Sequence, residues 1–323
     1  MANILSRLLK SENPSIVYKT HAYLLGKDPR SSELQSLQNE IKSSSFVQHL
    51  LSERDSEGKI PYHPYKKWFG AHWVLSVIAD LDYPEGDESL FPLKEQVFQW
   101  LLSEKYEKKY ARLINGRYRK CASMEGNALY YLLKLGLEDE RVEILVDRLR
   151  RWQWEDGGWN CDKNPAAQNS SFMESLLPLR GLNLYSHLKS DELSRAMARR
   201  ASDIFFKRHL YKRQQDGHIM RKEFAQLYYP YYWHYNILVG LKVLAEGGFL
   251  PDERCKDALD LLQSKQLPDG GFPAERKYYQ VTDNLNRSGR SLVNWGGTGK
   301  KRMNEFITVD ALYVLKNAGY QAK

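Results

Sequence analysis

The sequence of 323 residues has few cysteines and no long apolar run. Three cysteines are too few, and odd in number, for a disulfide framework, so we expect a reducing compartment and a cytoplasmic protein. No run of about 18 apolar residues occurs, so we expect no transmembrane segment. The amino terminus is short and amphipathic and lacks the apolar core and cleavage site of a signal peptide.

Several motifs of known chemistry are also missing. The chain has no Gly-x-Ser-x-Gly elbow, no dinucleotide-binding glycine pattern and no Cys-x-x-Cys pair. It lacks zinc-finger spacing and the aromatic strand of RNA-recognition modules, so we expect no nucleic-acid module. The 48 lysines and arginines exceed the 40 acidic residues by eight, and these charges are spread along the chain. We interpret this excess as a solvated surface, which leaves peripheral contact with an anionic membrane open.

The chain is rich in aromatic residues and in apolar helical segments. It contains 21 tyrosines and 8 tryptophans, which suit the lining of a cavity or an ordinary aromatic core. Six nearly uncharged helical segments alternate with five amphipathic ones, and residues 2–11 add a further short amphipathic helix. The pattern predicts an all-α protein built as a single domain over residues 1–323.

A repeated turn follows two of the amphipathic segments. It reads QWEDGGW at residues 153–159 and QLPDGGF at residues 266–272. This pattern, Gln-x-x-Asp-Gly-Gly-aromatic, resembles the Gln–Trp repeat of the superfamily of terpenoid cyclases and protein prenyltransferase β-subunits. The resemblance implies an (α/α)6 toroid, with an apolar inner ring and an amphipathic outer ring of helices. A helical solenoid is the alternative architecture.

The resemblance implies a central cavity that binds or transforms an elongated apolar ligand, isoprenoid-like and with or without a diphosphate. The Asp-x-Asp-Asp acid of class II terpenoid cyclases is absent, and the nearest string, Asp80-Leu81-Asp82, lies at the wrong end of its helix. Asp310, near the start of the sixth apolar helix, is a single candidate acid. Whether the protein is an enzyme, a transferase or lyase of this type, is therefore left open.

Polar and aromatic residues gather at the predicted N-terminal ends of the apolar helices, where free N–H groups suit a carboxylate or diphosphate. The catalytic candidates are Asp310, His234, Glu174 and Asp162. The substrate-binding candidates on the helices are His72, Trp73, Asn127, Ser171, Trp233 and Asn236. Helix capping explains Ser171 equally well, and core hydrogen bonds would explain the histidines.

A long stretch without helical periodicity covers residues 273–304, and we predict it to be a lid or binding loop over the cavity. Its substrate-binding candidates are Trp295 and Lys300, within the string NWGGTGKKR. Lys300 and the neighbouring backbone N–H groups suit an anion, although a solvated loop is the plainer interpretation.

Two further hypotheses accompany the cyclase-like one. Prenyltransferase β-subunits hold Zn²⁺ with Asp, Cys and His, and the resemblance implies a comparable set at Cys161, Asp162 and His234. The second hypothesis is therefore a zinc-assisted transferase or lyase. The third is a scaffold without catalysis, whose interior is filled by its own side chains and whose basic surface binds a protein partner.

Overall fold

The computed structural model describes residues 2–110 and 112–320, and α-helices dominate that part of the chain. The helices are α1 (Ala2–Leu8), α2 (Pro14–Lys19), α3 (Ser32–Ser43), α4 (Ser45–Leu50), α5 (Ala71–Asp80), α6 (Phe91–Leu101), α7 (Glu104–Tyr110), α8 (Ser123–Lys134), α9 (Val142–Trp152), α10 (Phe172–Lys189), α11 (Glu192–Phe206), α12 (Ile237–Glu246), α13 (Lys256–Ser264) and α14 (Glu305–Asn317). A π-helical turn, Thr20–Leu24, continues α2. The prediction of an all-α protein is confirmed.

The strands are short and form two separate pairs. Strands β1 (Arg112–Ile114) and β2 (Arg117–Arg119) are antiparallel, whereas β3 (Gln280–Val281) and β4 (Arg290–Ser291) are parallel. Both β3 and β4 lie within the stretch 273–304, which is otherwise irregular. None of the described helices is long and apolar enough to cross a membrane.

The helices differ sharply in how much of their surface is buried. Helix α5 buries nine of its ten residues and α12 buries eight of ten, as expected for helices that are apolar on most sides. In contrast, α13 buries three of nine residues and α3 two of twelve. A single hydrophobic cluster joins buried residues from Ile4 to Leu315.

The buried helices pack against one another in chain order. Helix α8 contacts α5 and α10, and α12 contacts α10 and α14. Helix α14 in turn contacts α2 and the π-helical turn. Five of these six helices also pack against the helix that follows them, in the pairs α2–α3, α5–α6, α8–α9, α10–α11 and α12–α13.

Two glycines let α8 and α10 approach closely. A Cβ atom added to Gly126 would lie 2.3 Å from the backbone nitrogen of Pro178. A Cβ atom on Gly181 would lie 2.5 Å from the carbonyl oxygen of Gly126. Any larger residue at either position would force the two helices apart, because their backbones meet directly.

The two Gly-Gly turns form the same hydrogen bonds. In the first turn, the Gln153 amide donates to the Gly157 carbonyl (2.7 Å), and the Trp154 N–H donates to the Gly158 carbonyl (2.8 Å). In the second turn, the Gln266 amide donates to the Gly270 carbonyl over 3.0 Å. The glutamine therefore closes each turn, which is the physical role of this residue in the repeat.

The aromatic residue of each turn connects to the next buried helix. The backbone N–H of Trp159 donates to the Ser175 hydroxyl of α10 (3.1 Å), and the backbone N–H of Phe272 donates to the Thr308 hydroxyl of α14 (2.9 Å). The repeat thus joins an amphipathic helix to a buried helix in the same way at two places in the chain.

Candidate functional site

A cavity of about 200 Å³ lies between the buried helices, and its walls carry charges of both signs. Its four cations are Lys19, Lys134, Arg180 and Lys242. Its four carboxylates are Asp80, Asp82, Glu246 and Asp310. These side chains come from α2, α5, α8, α10, α12 and α14, with Asp82 just beyond the end of α5. We call this space the charged cavity.

Lys242 connects two of the carboxylates. Its Nζ atom lies 3.1 Å from Asp80 Oδ1 and 2.9 Å from Asp310 Oδ2. Lys19 Nζ approaches Asp310 Oδ1 from α2 at 3.8 Å. Four side chains from four different helical segments therefore form one ion network.

Arg180 extends this network on the α10 side. It donates to Glu246 through Nε and Nη2, both at 2.6 Å, and to Asp80 through Nη2 at 3.1 Å. Its Nη1 donates to the Tyr231 hydroxyl over 2.7 Å. The hydroxyls of Tyr231 and Tyr229 both donate to Asp80, which is therefore surrounded by donors.

The network keeps Asp80 and Lys242 ionised. Burial alone would raise the pKa of Asp80, but Lys242, Lys19 and Arg180 together lower it well below the ordinary value. Burial alone would lower the pKa of Lys242, but Asp310 and Asp80 raise it well above its ordinary value. Asp80 is therefore an acceptor at neutral pH and does not act as an acid.

A second ion pair lies in the same lining, beyond the end of α5. Lys134 Nζ lies 3.1 Å from Asp82 Oδ1, and the Tyr23 hydroxyl also donates to Asp82. Asp82 raises the pKa of Lys134, and burial together with Asp82 raises the pKa of Tyr18 to about 12. In this pair Asp82 is buried, and the Lys134 side chain is 30% exposed.

Among the residues that the structure describes, Asp310 is the one sequence-predicted candidate that lines the charged cavity. The cavity does not lie at the helix starts, where we expected it. Asp80, Lys134 and Glu246 are the last residues of α5, α8 and α12. Arg180, Lys242 and Asp310 lie in the interior of α10, α12 and α14. No residue of the predicted lid, 273–304, belongs to its lining.

Three candidates at the N-terminal ends bond to one another or to the backbone in the core. The Asn127 amide lies 3.2 Å from His72 Nε2, and His72 Nδ1 lies 3.1 Å from the Tyr131 hydroxyl. Burial lowers the pKa of His72 to about 3, so its ring is neutral. Trp73 is buried and donates to the Tyr65 carbonyl over 3.1 Å.

His234 and Trp233 belong to an aromatic stack outside the cavity lining. The His234 ring lies between Trp233 and Tyr278, with centroid distances of 4.1 and 3.6 Å. Burial lowers the pKa of His234 to about 4. The Lys67 ammonium lies 5.0 Å from the Trp233 ring centroid. His234 is not part of the group of ligand atoms around Cys161, with which the resemblance placed it.

The remaining ligand-binding candidates have local roles. Asn236 caps α12 by accepting the Val239 N–H at 3.0 Å, and the Ser171 N–H donates to the Trp159 carbonyl at 2.8 Å. Trp295 is fully buried and donates to the Ser291 hydroxyl at 3.1 Å. Lys300 is exposed.

Cys161 lies beside Cys121 and Glu174 and not, as the resemblance implied, with Asp162 and His234. Within the described chain, these three form the one group of at least three metal-ligating atoms from His, Cys, Asp or Glu that all lie within 4.8 Å of one another. Asp162 is a turn residue whose carboxylate accepts the Asn164 N–H. Cys121, which lies two residues before α8, is not among the predicted ligands.

Most charged residues of the cavity are likewise absent from the predicted site. Lys19, Arg180 and Lys242 are buried charges whose immediate neighbours along the helix are mostly apolar, and that contrast is the signal available in the sequence. Asp80 lies at the end of its helix that the resemblance did not favour. A lone charge in a buried helix needs a partner of opposite sign, and several such charges together indicate a shared polar interior.

Comparison with known proteins adds no family assignment. No protein-family model matches the chain, and a search of curated proteins finds no match. The superfamily that the Gly-Gly turns resemble therefore stays a prediction, and the functional argument rests on the geometry of the charged cavity.

Proposed function

We propose that the chain forms a closed (α/α)6 toroid and binds one small, net-neutral, hydroxyl-rich ligand in the charged cavity. The observation that carries the proposal is that six buried helical segments each contribute a charged side chain to one cavity or its edge. The helix contacts support closure, because α14 packs against α2 and so returns to the start of the series.

The size of the cavity favours a ligand no larger than one ring. A cavity of about 150 Å³ accepts benzene, whereas sites for drug-sized ligands measure roughly 300–1,000 Å³. At about 200 Å³, the charged cavity suits a molecule the size of a single sugar. An elongated isoprenoid chain would need more volume, so the proposal departs from the leading ligand prediction.

The charge balance favours a neutral ligand. The lining holds four cations and four carboxylates, so an ion of either sign would meet like charges that it cannot neutralise. A hydroxyl group both donates and accepts hydrogen bonds. A polyol can therefore bond to carboxylates and ammonium groups together and leave the ion pairs charged.

The proposal assigns binding and no reaction. Asp80 accepts hydrogen bonds from two tyrosines, an arginine and a lysine and stays ionised. It does not supply the proton that a cyclase of the class II type needs. Transferase, lyase and scaffold roles stay predictions from the sequence.

Calorimetric titration with a panel of monosaccharides and small polyols tests the proposal. A Leu184→Trp variant fills the edge of the cavity, because Leu184 is a half-buried lining residue of α10. Leu188→Trp is the matched control, since Leu188 lies one turn further along α10, is 51% exposed and is not part of the lining. We expect wild type and Leu188→Trp to bind a polyol, and Leu184→Trp to lose at least about tenfold in affinity.

Two further titrations separate the alternatives. Inorganic diphosphate and an isoprenyl diphosphate are added separately to the same variants. Binding of either one, blocked by Leu184→Trp, with no polyol bound, would overturn the neutral-ligand assignment and favour the isoprenoid prediction. Equal polyol binding by both tryptophan variants would overturn the cavity as the site.

A further inference from the structure

The backbone brings Cys121 and Cys161 together although 40 residues separate them. The Lys120 N–H donates to the Asn160 carbonyl over 3.1 Å, and Arg119 forms a parallel bridge with Asn160. The segment before α8 and the loop after the first Gly-Gly turn therefore run side by side. Their juxtaposition is a feature of the backbone and does not depend on the thiols themselves.

Glu174, from the first turn of α10, completes the group. The Cys161 Sγ atom lies 3.3 Å from Glu174 Oε1, and the ligand atoms of all three residues lie within 4.8 Å of one another. Tetrahedral zinc has Zn–S bonds of about 2.3 Å and Zn–O bonds of about 2.0 Å, which place sulfur and oxygen about 3.5 Å apart. The observed spacing therefore fits two ligands of one ion.

The carboxylate is also held in position. The Ser123 N–H donates to Glu174 Oε2 over 3.1 Å, which leaves Oε1 directed at Cys161. Fixing a ligating carboxylate through its other oxygen is a common arrangement around protein metal ions. All three candidate ligands are half-buried, so an ion can reach them from solvent.

We propose that Cys121, Cys161 and Glu174 bind one zinc ion with an open fourth position. Two thiolates select a soft or borderline ion such as zinc over magnesium or calcium. Three protein ligands leave one position for water or substrate, as in catalytic zinc sites. The ligand set replaces the one that the resemblance implied, and it shares only Cys161 with that set.

The zinc site lies apart from the charged cavity. Cys121 and Glu174 are near the N-terminal ends of α8 and α10, whereas Lys134 lines the cavity at the other end of α8. Helix α8 has 12 residues, which corresponds to a length of about 18 Å. The proposal of zinc binding therefore does not depend on the proposal of a ligand in the charged cavity.

Metal analysis of the whole chain tests this proposal. The protein is purified under reducing conditions, zinc is measured by elemental analysis, and cobalt is titrated into the metal-stripped protein. We expect about one zinc per chain and a cobalt spectrum with thiolate-to-metal charge-transfer and tetrahedral bands. Cys121→Ser, Cys161→Ser and Glu174→Gln should each weaken zinc binding by more than about tenfold.

The third cysteine supplies the matched control. Cys255 is buried in the turn before α13 and is not part of the group, so Cys255→Ser should keep zinc and the cobalt spectrum of wild type. Circular dichroism shows whether each variant is folded, and the wild-type cobalt spectrum reports thiolate ligation even if a ligand variant fails to fold. A wild-type protein that takes up neither metal, or that loses its metal in Cys255→Ser alone, would overturn the proposal. The proposal would also be overturned if the protein were isolated with a Cys121–Cys161 disulfide and took up no zinc after that disulfide was reduced.

Discussion

At the residue scale, the main feature of this protein is a set of charged side chains buried among apolar neighbours. Asp80, Arg180 and Lys242 are 8%, 4% and 6% exposed, and each contacts two groups of opposite charge. Burying an ion costs several kcal/mol, and only good pairing offsets that cost. The network therefore contributes to a defined arrangement of helices and to a polar interior more than to net stability.

The buried His72 predicts how stability changes with pH. Its pKa is about 3 in the folded protein and about 6.5 in an unfolded chain, so between these values only the unfolded state binds the proton. The contribution to stability is present above pH 6.5 and is lost as pH falls, by up to about 1.4 kcal/mol per pH unit. His72→Gln should lack this part of the slope, as measured by urea unfolding between about pH 7 and about pH 5.

The exposed His49 on α4 provides the comparison. The same unfolding series on His49→Gln shows what the loss of a solvent-exposed imidazole does by itself. Equal slopes for wild type and His72→Gln would show that the ring is protonated in the folded protein.

At the scale of elements, the Gly-Gly turns and the close crossing of α8 and α10 determine how neighbouring helices are positioned. The Gly-Gly turns repeat the same glutamine-to-carbonyl bond, and the following aromatic residue joins the turn to a hydroxyl on the next buried helix. The glutamine-to-carbonyl bonds span four residues and depend on local geometry, whereas the bonds to the next buried helix span 16 and 36 residues. They explain why the repeat was visible in the sequence alone.

Because α8 and α10 cross so closely, we expect that a single added methyl group at the crossing lowers the stability of the protein strongly. Gly126→Ala places a Cβ atom 2.3 Å from the Pro178 backbone nitrogen, far inside van der Waals contact, so the helices must separate. We expect the free energy of unfolding to fall by about 1–3 kcal/mol or more, measured by urea denaturation.

Gly217 serves as the control for this substitution. It lies in an open turn with a φ of +69°, and a Cβ atom there would meet nothing within 4 Å. Asparagine tolerates this left-handed conformation, so Gly217→Asn should change stability by no more than about 0.5 kcal/mol. Similar losses in the two variants would show that α8 and α10 do not depend on their glycine contact.

At the scale of the whole molecule, residues near the start of the chain form hydrogen bonds and an ion pair with residues in its last quarter. The Ser11 hydroxyl donates to Glu305 at 2.7 Å, and Arg7 pairs with Asp269 at 2.8 Å. Lys316 on α14 donates to the Leu24 carbonyl at 2.9 Å. The first and last described helical segments are therefore neighbours.

Removal of residues 2–11 tests how much this contact stabilises the protein. Ile4 and Leu8 of α1 are 2% and 0% exposed, and burying each side chain is worth about 1.5–3 kcal/mol. We expect the truncated chain to lose about 3–6 kcal/mol of unfolding free energy, with a lower midpoint in thermal unfolding.

Arg7→Ala separates packing from charge in this segment. The Arg7–Asp269 pair is largely exposed, so its loss should cost no more than about 1 kcal/mol. A truncated chain as stable as wild type would contradict the view that α1 completes the packing of the helices.

The sequence by itself determined the helices, the repeated turns and the all-α class, because each depends on neighbours within a few residues. Helical periodicity and the glycines of the turns act locally. The same local reasoning favoured polar helix starts as the site, since it could not show that His72 and Asn127 bond to each other.

Only the tertiary structure decided where the charges meet. Lys19 and Asp310 are 291 residues apart, and Cys121 reaches Cys161 through two adjacent loops. The spacing of residues in the sequence does not predict where along the helices the cavity lies. It also does not predict which buried charges form ion pairs across the cavity. That choice follows from long-range packing, because a buried charge is stable only where the fold brings it a partner.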